Sequence, residues 1–142
     1  MNKPDPLSIL LVEDDDVAAE AVTRSIGRSG LSIPVVWAED GLAALDILRG
    51  GRPQAQAPRP RVILLDLNMP RMNGFEFLQT LRTDPELKDE IIFVLTTSDD
   101  ESDRTRAYHE NIAGYMVKSA VGPQFSKLVA LLQSYQGAVK LP

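Results

Sequence analysis

Five short apolar runs punctuate the chain: Ser8 to Val12, Ile33 to Ala38, Val62 to Leu65, Ile91 to Leu95 and Ala113 to Val117. They are continuous rather than alternating, the pattern of strands buried on both faces of a parallel sheet. Between them the period changes. From Asp16 onward Val17, Ala18, Ala21, Val22, Ser25 and Ile26 recur at helical spacing, and Gly27 and Gly30 supply a stop. Asp40 begins a second helix through Leu42, Leu45 and Leu48 that ends at Gly50 and Gly51. Gly74 to Leu81 carries Phe75, Leu78 and Leu81 on one stripe, and Asp84-Pro85 breaks it. Asp99 to Glu110 is mostly polar and offers only Ala107 and Tyr108 to a core, with Ser98 and Glu101 reading as its capping box. Pro123, at a favoured first-turn position, opens a last helix with Phe125, Leu128, Val129, Leu131, Leu132 and Tyr135 on a broad apolar stripe. Strands alternating with helices predict an α/β fold, an open parallel sheet with helices on both faces, because parallel neighbours need crossover connections.

The residues with chemistry sit where the apolar runs stop. Glu13 and Asp14 follow the first, Asp66 the third, Thr96 the fourth and Lys118 the fifth. In a parallel sheet these ends emerge on one edge, where open α/β folds keep their ligands. Carboxylates converging there repel one another unless a cation lies among them, and an all-oxygen donor set suits Mg²⁺. An aspartate beside a hard cation can attack phosphorus to give an aspartyl phosphate, with a lysine neutralising the incoming charge. Asp66 is the candidate nucleophile and Lys118 that lysine. Thr96 offers a hydroxyl that can rotate onto a phosphoryl oxygen. Met69 and Met72 read as packing of the loop after Asp66, and His109, the single histidine, as an exposed residue on a polar helix.

Composition narrows the setting. With 142 residues, the chain has room for one domain and no second folded output domain; a single core spanning about 7–136 with short tails is expected. A formal net charge of -5, with no basic run, argues against nucleic acid as a partner. No cysteine is present, so disulfides and thiol chemistry are excluded. No signal core or long apolar span is seen, which predicts a cytoplasmic protein without membrane attachment. The arginines of the segment RPQAQAPRPR read as a solvated rim on a surface loop, and Trp37 as a residue remote from the strand-end cluster. The lack of G-x-G-x-x-G after the first strand counts against a nucleotide cofactor.

Glu13-Asp14 after ILLV, Asp66 in DLNMPRMNG, Thr96 after FVL and Lys118 after GYMV together resemble the receiver domain of two-component response regulators, over almost the whole chain. The resemblance implies a flavodoxin-like (βα)5 fold of strand order 2-1-3-4-5. It implies that Asp66 accepts a phosphoryl group from a histidine kinase, and that Asp14 and Asp66 bind Mg²⁺ with Glu13 helping through water and the Asn68 carbonyl completing the set. Thr96 and Lys118 would hold phosphoryl oxygens, Tyr115 would be the switching aromatic, and Asn68 and Ser98 would tune dephosphorylation. The long loop after Gly50 and the stretches TDPELKDE and LTTSDD look similar to single-domain regulators paired with phytochrome-type kinases.

One departure stands out: the family usually has a cis proline after the lysine, and here the residue is Ser119. A non-proline cis bond costs about 3 kcal/mol, so a trans bond and a re-routed loop before the last helix are expected. A stand-alone regulator of this kind would work by contact, docking a downstream protein through the face between Asp99 and Tyr135, or passing phosphoryl to a histidine phosphotransfer protein. The same face offers a homodimer surface. Its only catalysis would be its own phosphorylation and dephosphorylation. The alternative is a phosphorylation-independent adaptor on the same fold; a small-molecule phosphatase is disfavoured because Asn68 stands where such enzymes place a general acid.

Overall fold

In a computed structural model that describes residues 7–142, five parallel strands form one sheet in the order β2-β1-β3-β4-β5. The strands are β1 (Ser8–Val12), β2 (Val35–Ala38), β3 (Arg61–Leu65), β4 (Ile91–Thr96) and β5 (Gly114–Val117). The helices between and after them are α1 (Asp16–Arg28), α2 (Gly41–Leu48), α3 (Gly74–Thr83), α4 (Glu101–Tyr108) and α5 (Ser126–Ala138). This is the flavodoxin-like arrangement expected. The anticipated amino-terminal tail lies outside the described residues. At the other end α5 runs on to Ala138, and Leu141 packs back beside it.

The unbroken apolar runs have a simple cause. Successive strand residues point to opposite faces, and both faces are covered. Leu10, Val12, Ile63, Leu65, Ile92 and Val94 meet Leu45 and Ile47 of α2, Phe75, Phe77, Leu78 and Leu81 of α3, and Ala107 of α4. Ile9, Leu11, Val62, Leu64, Phe93 and Leu95 meet Ala19, Val22 and Ile26 of α1 and Leu128 and Leu132 of α5. The Phe93 and Tyr135 rings close this second layer edge to face, 5.4 Å between centroids.

Helix starts are set by short polar side chains that satisfy otherwise unpaired backbone N–H groups. Asp15 accepts from Val17 and Ala18, Asp40 from Ala43, and Asn73 forms a reciprocal box with Glu76. At α4 the cap is Asp100, not the expected Ser98–Glu101 box; Ser98 instead donates to Asp103 at 2.7 Å. The Asp15 cap also fixes the rotation of α1: Ala19 takes the buried position, and Val17, placed on the apolar face by its spacing, is 71% exposed. Leu42 and Tyr108 are likewise exposed, and α4 contributes Ala107 alone to the core.

The far end of α4 is fastened from outside the helix. Arg82, in the last turn of α3, donates to the carbonyl oxygens of Lys88, Glu90, Glu110 and Asn111 at 2.6 to 3.0 Å. One planar guanidinium thereby joins α3, the start of β4 and the turn after α4.

The route into α5 differs from the sequence reading. Pro123 lies in a separate 3-10 turn, Pro123–Phe125, and Gln124 and Phe125 both adopt left-handed backbone angles, so α5 starts only at Ser126. Two consecutive left-handed residues cannot belong to the helix that follows. The Lys118–Ser119 bond is trans, since the cis bond among the described residues is Arg59–Pro60. Without the usual proline, the segment after β5 coils as a 3-10 turn, Lys118–Ala120, before reaching α5.

Candidate functional site

Register places the strand-end residues side by side. Val12 pairs with Leu65, and Val94 with both Leu65 and Tyr115, so Glu13 and Asp66 lie directly beyond that row and Thr96 and Lys118 further along, all at the carboxyl edge. The Asp66 backbone N–H donates to the Val12 carbonyl at 3.0 Å, which carries the ladder one rung past the strand. Gly74 opens α3 against this point. A Cβ there would lie 2.6 Å from Leu67 Cα and 2.8 Å from the Asp66 carbonyl oxygen, closer than atoms can approach, so glycine is required.

The carboxylates of Glu13, Asp14 and Asp66 each bring an oxygen within 4.8 Å of the others. Glu13 and Asp66 are buried and Asp14 is exposed. Lys118 bridges the two buried acids: its ammonium pairs closely with Glu13 and lies 3.6 Å from Asp66 Oδ2. Burial alone would lower the Lys118 ammonium; the Glu13 and Asp66 carboxylates outweigh it and hold the group above its ordinary value. Burial, with the neighbouring Asp66 adding to it, pushes Glu13 up to about 8. The other Glu13 oxygen, Oε2, is buried with no hydrogen-bond partner. An unpaired buried carboxylate oxygen in a cluster of three carboxylates is the signature of an incomplete charge set. The donors are all oxygen, so the arrangement fits a hard divalent cation.

The remaining predicted residues form a chain leading away. Asn68 is exposed, its N–H 3.3 Å from Asp66 Oδ1. Thr96 is fully buried, and its hydroxyl oxygen accepts from the Ser98 N–H at a long 3.4 Å. Ser98 touches α4 through Asp103, and its carbonyl accepts from the Tyr115 hydroxyl at 3.0 Å. Tyr115 is half-buried against the core; burial is the main reason its phenol titrates above the usual value. Met69 is buried and Met72 packs on the same layer, as expected of loop packing.

Sequence reasoning missed two contacts. Trp37 is not remote: its indole Nε1 donates to the Glu13 carbonyl at 2.7 Å. Arg71, in the loop after Asp66 and itself left-handed at φ 65°, forms a close ion pair with buried Asp40, the cap of α2. The second link spans 31 positions and left no local signal. Trp37 did leave one, an aromatic at the end of an edge strand beside the acidic pair's own strand.

Comparison with known proteins agrees with this geometry. The family described as response regulator receiver domain matches residues 9–132. The probable methanogenesis regulatory protein FilR2 of Methanothrix harundinacea is 36% identical over 135 residues, 92% of this chain and 84% of that one. Response regulator Rcp1 of Synechocystis is 35% identical over 130 residues, 92% and 88% of the two chains. The structure of an Mn²⁺-bound form of Rcp1 superposes with a TM-score of 0.81 at 34% identity, covering 96% of this chain and 99% of that one. That of the phosphorylated cyanobacterial phytochrome response regulator RcpA gives 0.81 at 34% identity, covering 95% and 97%. Sheet order, the strand-end acids and these likenesses agree, and the chain belongs to the response regulator receiver family of phosphorelay signalling.

Proposed function

We propose that Asp66 is the phosphoacceptor of a single-domain response regulator, with Glu13, Asp14, Asp66 and the Asn68 carbonyl holding Mg²⁺. The observation that carries the reading is the unfinished charge set: buried acids, one orphaned oxygen and a lysine shared between Glu13 and Asp66. An Asp66 oxygen attacks phosphorus of a phosphohistidine, the P–N bond breaks, imidazole leaves, and an acyl phosphate remains; attack by water on phosphorus returns the carboxylate. Bound Mg²⁺ would supply charge neutralisation at the phosphoryl oxygens. Lys118 already lies at Asp66 and needs only to shift its ammonium from Glu13 towards the incoming group. Thr96 holds its Ser98 contact weakly, so its hydroxyl is free to turn onto a phosphoryl oxygen. Ser98 also anchors Tyr115 and Asp103, and the local change therefore reaches α4 and β5.

Receiver domains act with histidine kinases and downstream targets. For this chain the donor is a sensor kinase or a histidine phosphotransfer protein in the cytoplasm, and the output is a protein contact, or a homodimer, through the face from Asp99 to Tyr135. Among the described residues no helix is long and apolar enough to cross a membrane. The intact set of Glu13, Asp14, Asp66, Thr96 and Lys118 argues against a phosphorylation-independent adaptor.

Intact mass after incubation with acetyl phosphate tests the assignment. One added phosphoryl is expected with Mg²⁺, none without it, and none in Asp66→Asn. Full labelling of Asp66→Asn would overturn the role of Asp66.

A further inference from the structure

β2 grips Glu13 from both sides of its backbone. The Glu13 N–H donates to the Ala38 carbonyl at 3.0 Å, the last rung of the β1–β2 ladder. Beyond Ala38 the strand ends and Asp40 turns away to cap α2, so the donor that reaches the Glu13 carbonyl is a side chain, the Trp37 indole N–H at 2.7 Å.

That carbonyl belongs to the peptide unit joining Glu13 to Asp14. The unit is planar, so restraining the direction of its C=O restrains the two Cα atoms from which both carboxylates spring. These are the carboxylates that must keep oxygens within 4.8 Å of each other and of Asp66. Asp14 is exposed and sits one residue before the Asp15 cap. We infer that Trp37 is a positioning residue for the divalent-cation site, acting through its indole N–H on the Glu13–Asp14 peptide. The inference rests on the cation reading of that acidic cluster. Its other face is open: Trp37 is 43% exposed and, with Asp16, Ala19, Glu20, Thr23 and Arg24, lines a groove of about 390 Å³ beside α1. An indole half in solvent contributes little to the core, which separates its hydrogen bond from its packing.

The test is direct Mn²⁺ binding, read from the paramagnetic resonance of free ion, on wild type and Trp37→Phe. Phenylalanine keeps an aromatic ring and removes the donor. One hydrogen bond is worth a factor of about 3 to 10, so the dissociation constant should rise by that much. In acetyl phosphate labelling the deficit should appear as a higher half-saturating Mg²⁺ rather than a lower maximal rate. A folding role alone would lower the urea midpoint and leave the Mn²⁺ constant unmoved. Wild-type affinity in Trp37→Phe would overturn the inference while leaving the cation site intact; no Mn²⁺ binding by wild type would remove both. If Trp37→Phe does not fold, the wild-type protein still decides. It has one tryptophan, hence one indole ¹⁵N–¹H resonance. That resonance should shift with Mg²⁺ along the same curve as calorimetry; an indole peak unmoved at saturation would overturn the inference.

Discussion

Two buried glutamates lie at opposite edges of the same sheet, and they are treated in opposite ways. Glu90, just before β4 at the amino edge, is gripped bidentately by Arg61 at 2.7 and 2.8 Å, with Arg59 adding a third bond at 3.2 Å. Both of its oxygens are satisfied. Glu13, at the carboxyl edge, shares one lysine with Asp66 and leaves Oε2 unpartnered. Burial is therefore not what distinguishes a functional carboxylate from a structural one here; completeness of its hydrogen bonding is. The finished set holds the fold together, and the unfinished one is where the proposed cation and phosphoryl group would complete the charges.

Removing the cation from each pair should sharpen the contrast most. Arg61→Ala leaves Glu90 buried beside only the half-exposed Arg59, and should cost about 3 kcal/mol in urea unfolding, the lower end of what breaking a buried pair costs. Lys118→Ala should cost about 1 kcal/mol by the same measurement, because Glu13 can keep its proton instead of standing as a bare charge. Equal losses in the two variants would break the comparison. Glu13→Gln should have the opposite sign, raising metal-free stability by about 1 kcal/mol while shrinking the stabilisation that Mg²⁺ provides.

The smallest effect is in pH. The folded-state value of Glu13, about 8, lies above the ordinary 4.5, so the folded protein retains a proton that the unfolded chain has lost. Its contribution is full below about 4.5 and is lost as pH rises to about 8. In chelator, with Asp66 and Lys118 unchanged, wild type should lose stability across that window and Glu13→Gln should lose less. Equal slopes in the two proteins would remove the strained carboxyl from the account.

Much of this was legible in the sequence, for a physical reason. A strand buried on both faces must be apolar throughout, so the first charged or hydroxyl residue after it marks the strand's end and the edge where it emerges. Glu13, Asp66, Thr96 and Lys118 could all be read that way. The finished glutamate could not, because its partners are 29 to 31 positions away. Ser98 was misread as a cap because spacing alone does not tell which of Ser98 and Asp100 reaches the free N–H groups of α4. Pro123 was misread because its ring favours a first turn but does not dictate what Gln124 and Phe125 do next. The trans bond before Ser119 followed from the cost of the alternative and needed no neighbour to be known.

The arginine clamp of Arg82 makes α4 a lever. Its carboxyl end is moored by two carbonyls, of Glu110 and Asn111, to the Arg82 side chain, whose hydrogen bonds among the described residues all go to backbone carbonyls at the opposite end from Asp66. Its amino end is held by the bonds around Ser98, Asp100 and Asp103. The helix of eight residues is about 12 Å long. A tilt of about 10° about the moored end therefore carries Glu101 about 2 Å and Tyr108 almost nowhere. Any such tilt would move the end nearest Ser98 most, with the end held by Arg82 as its fulcrum.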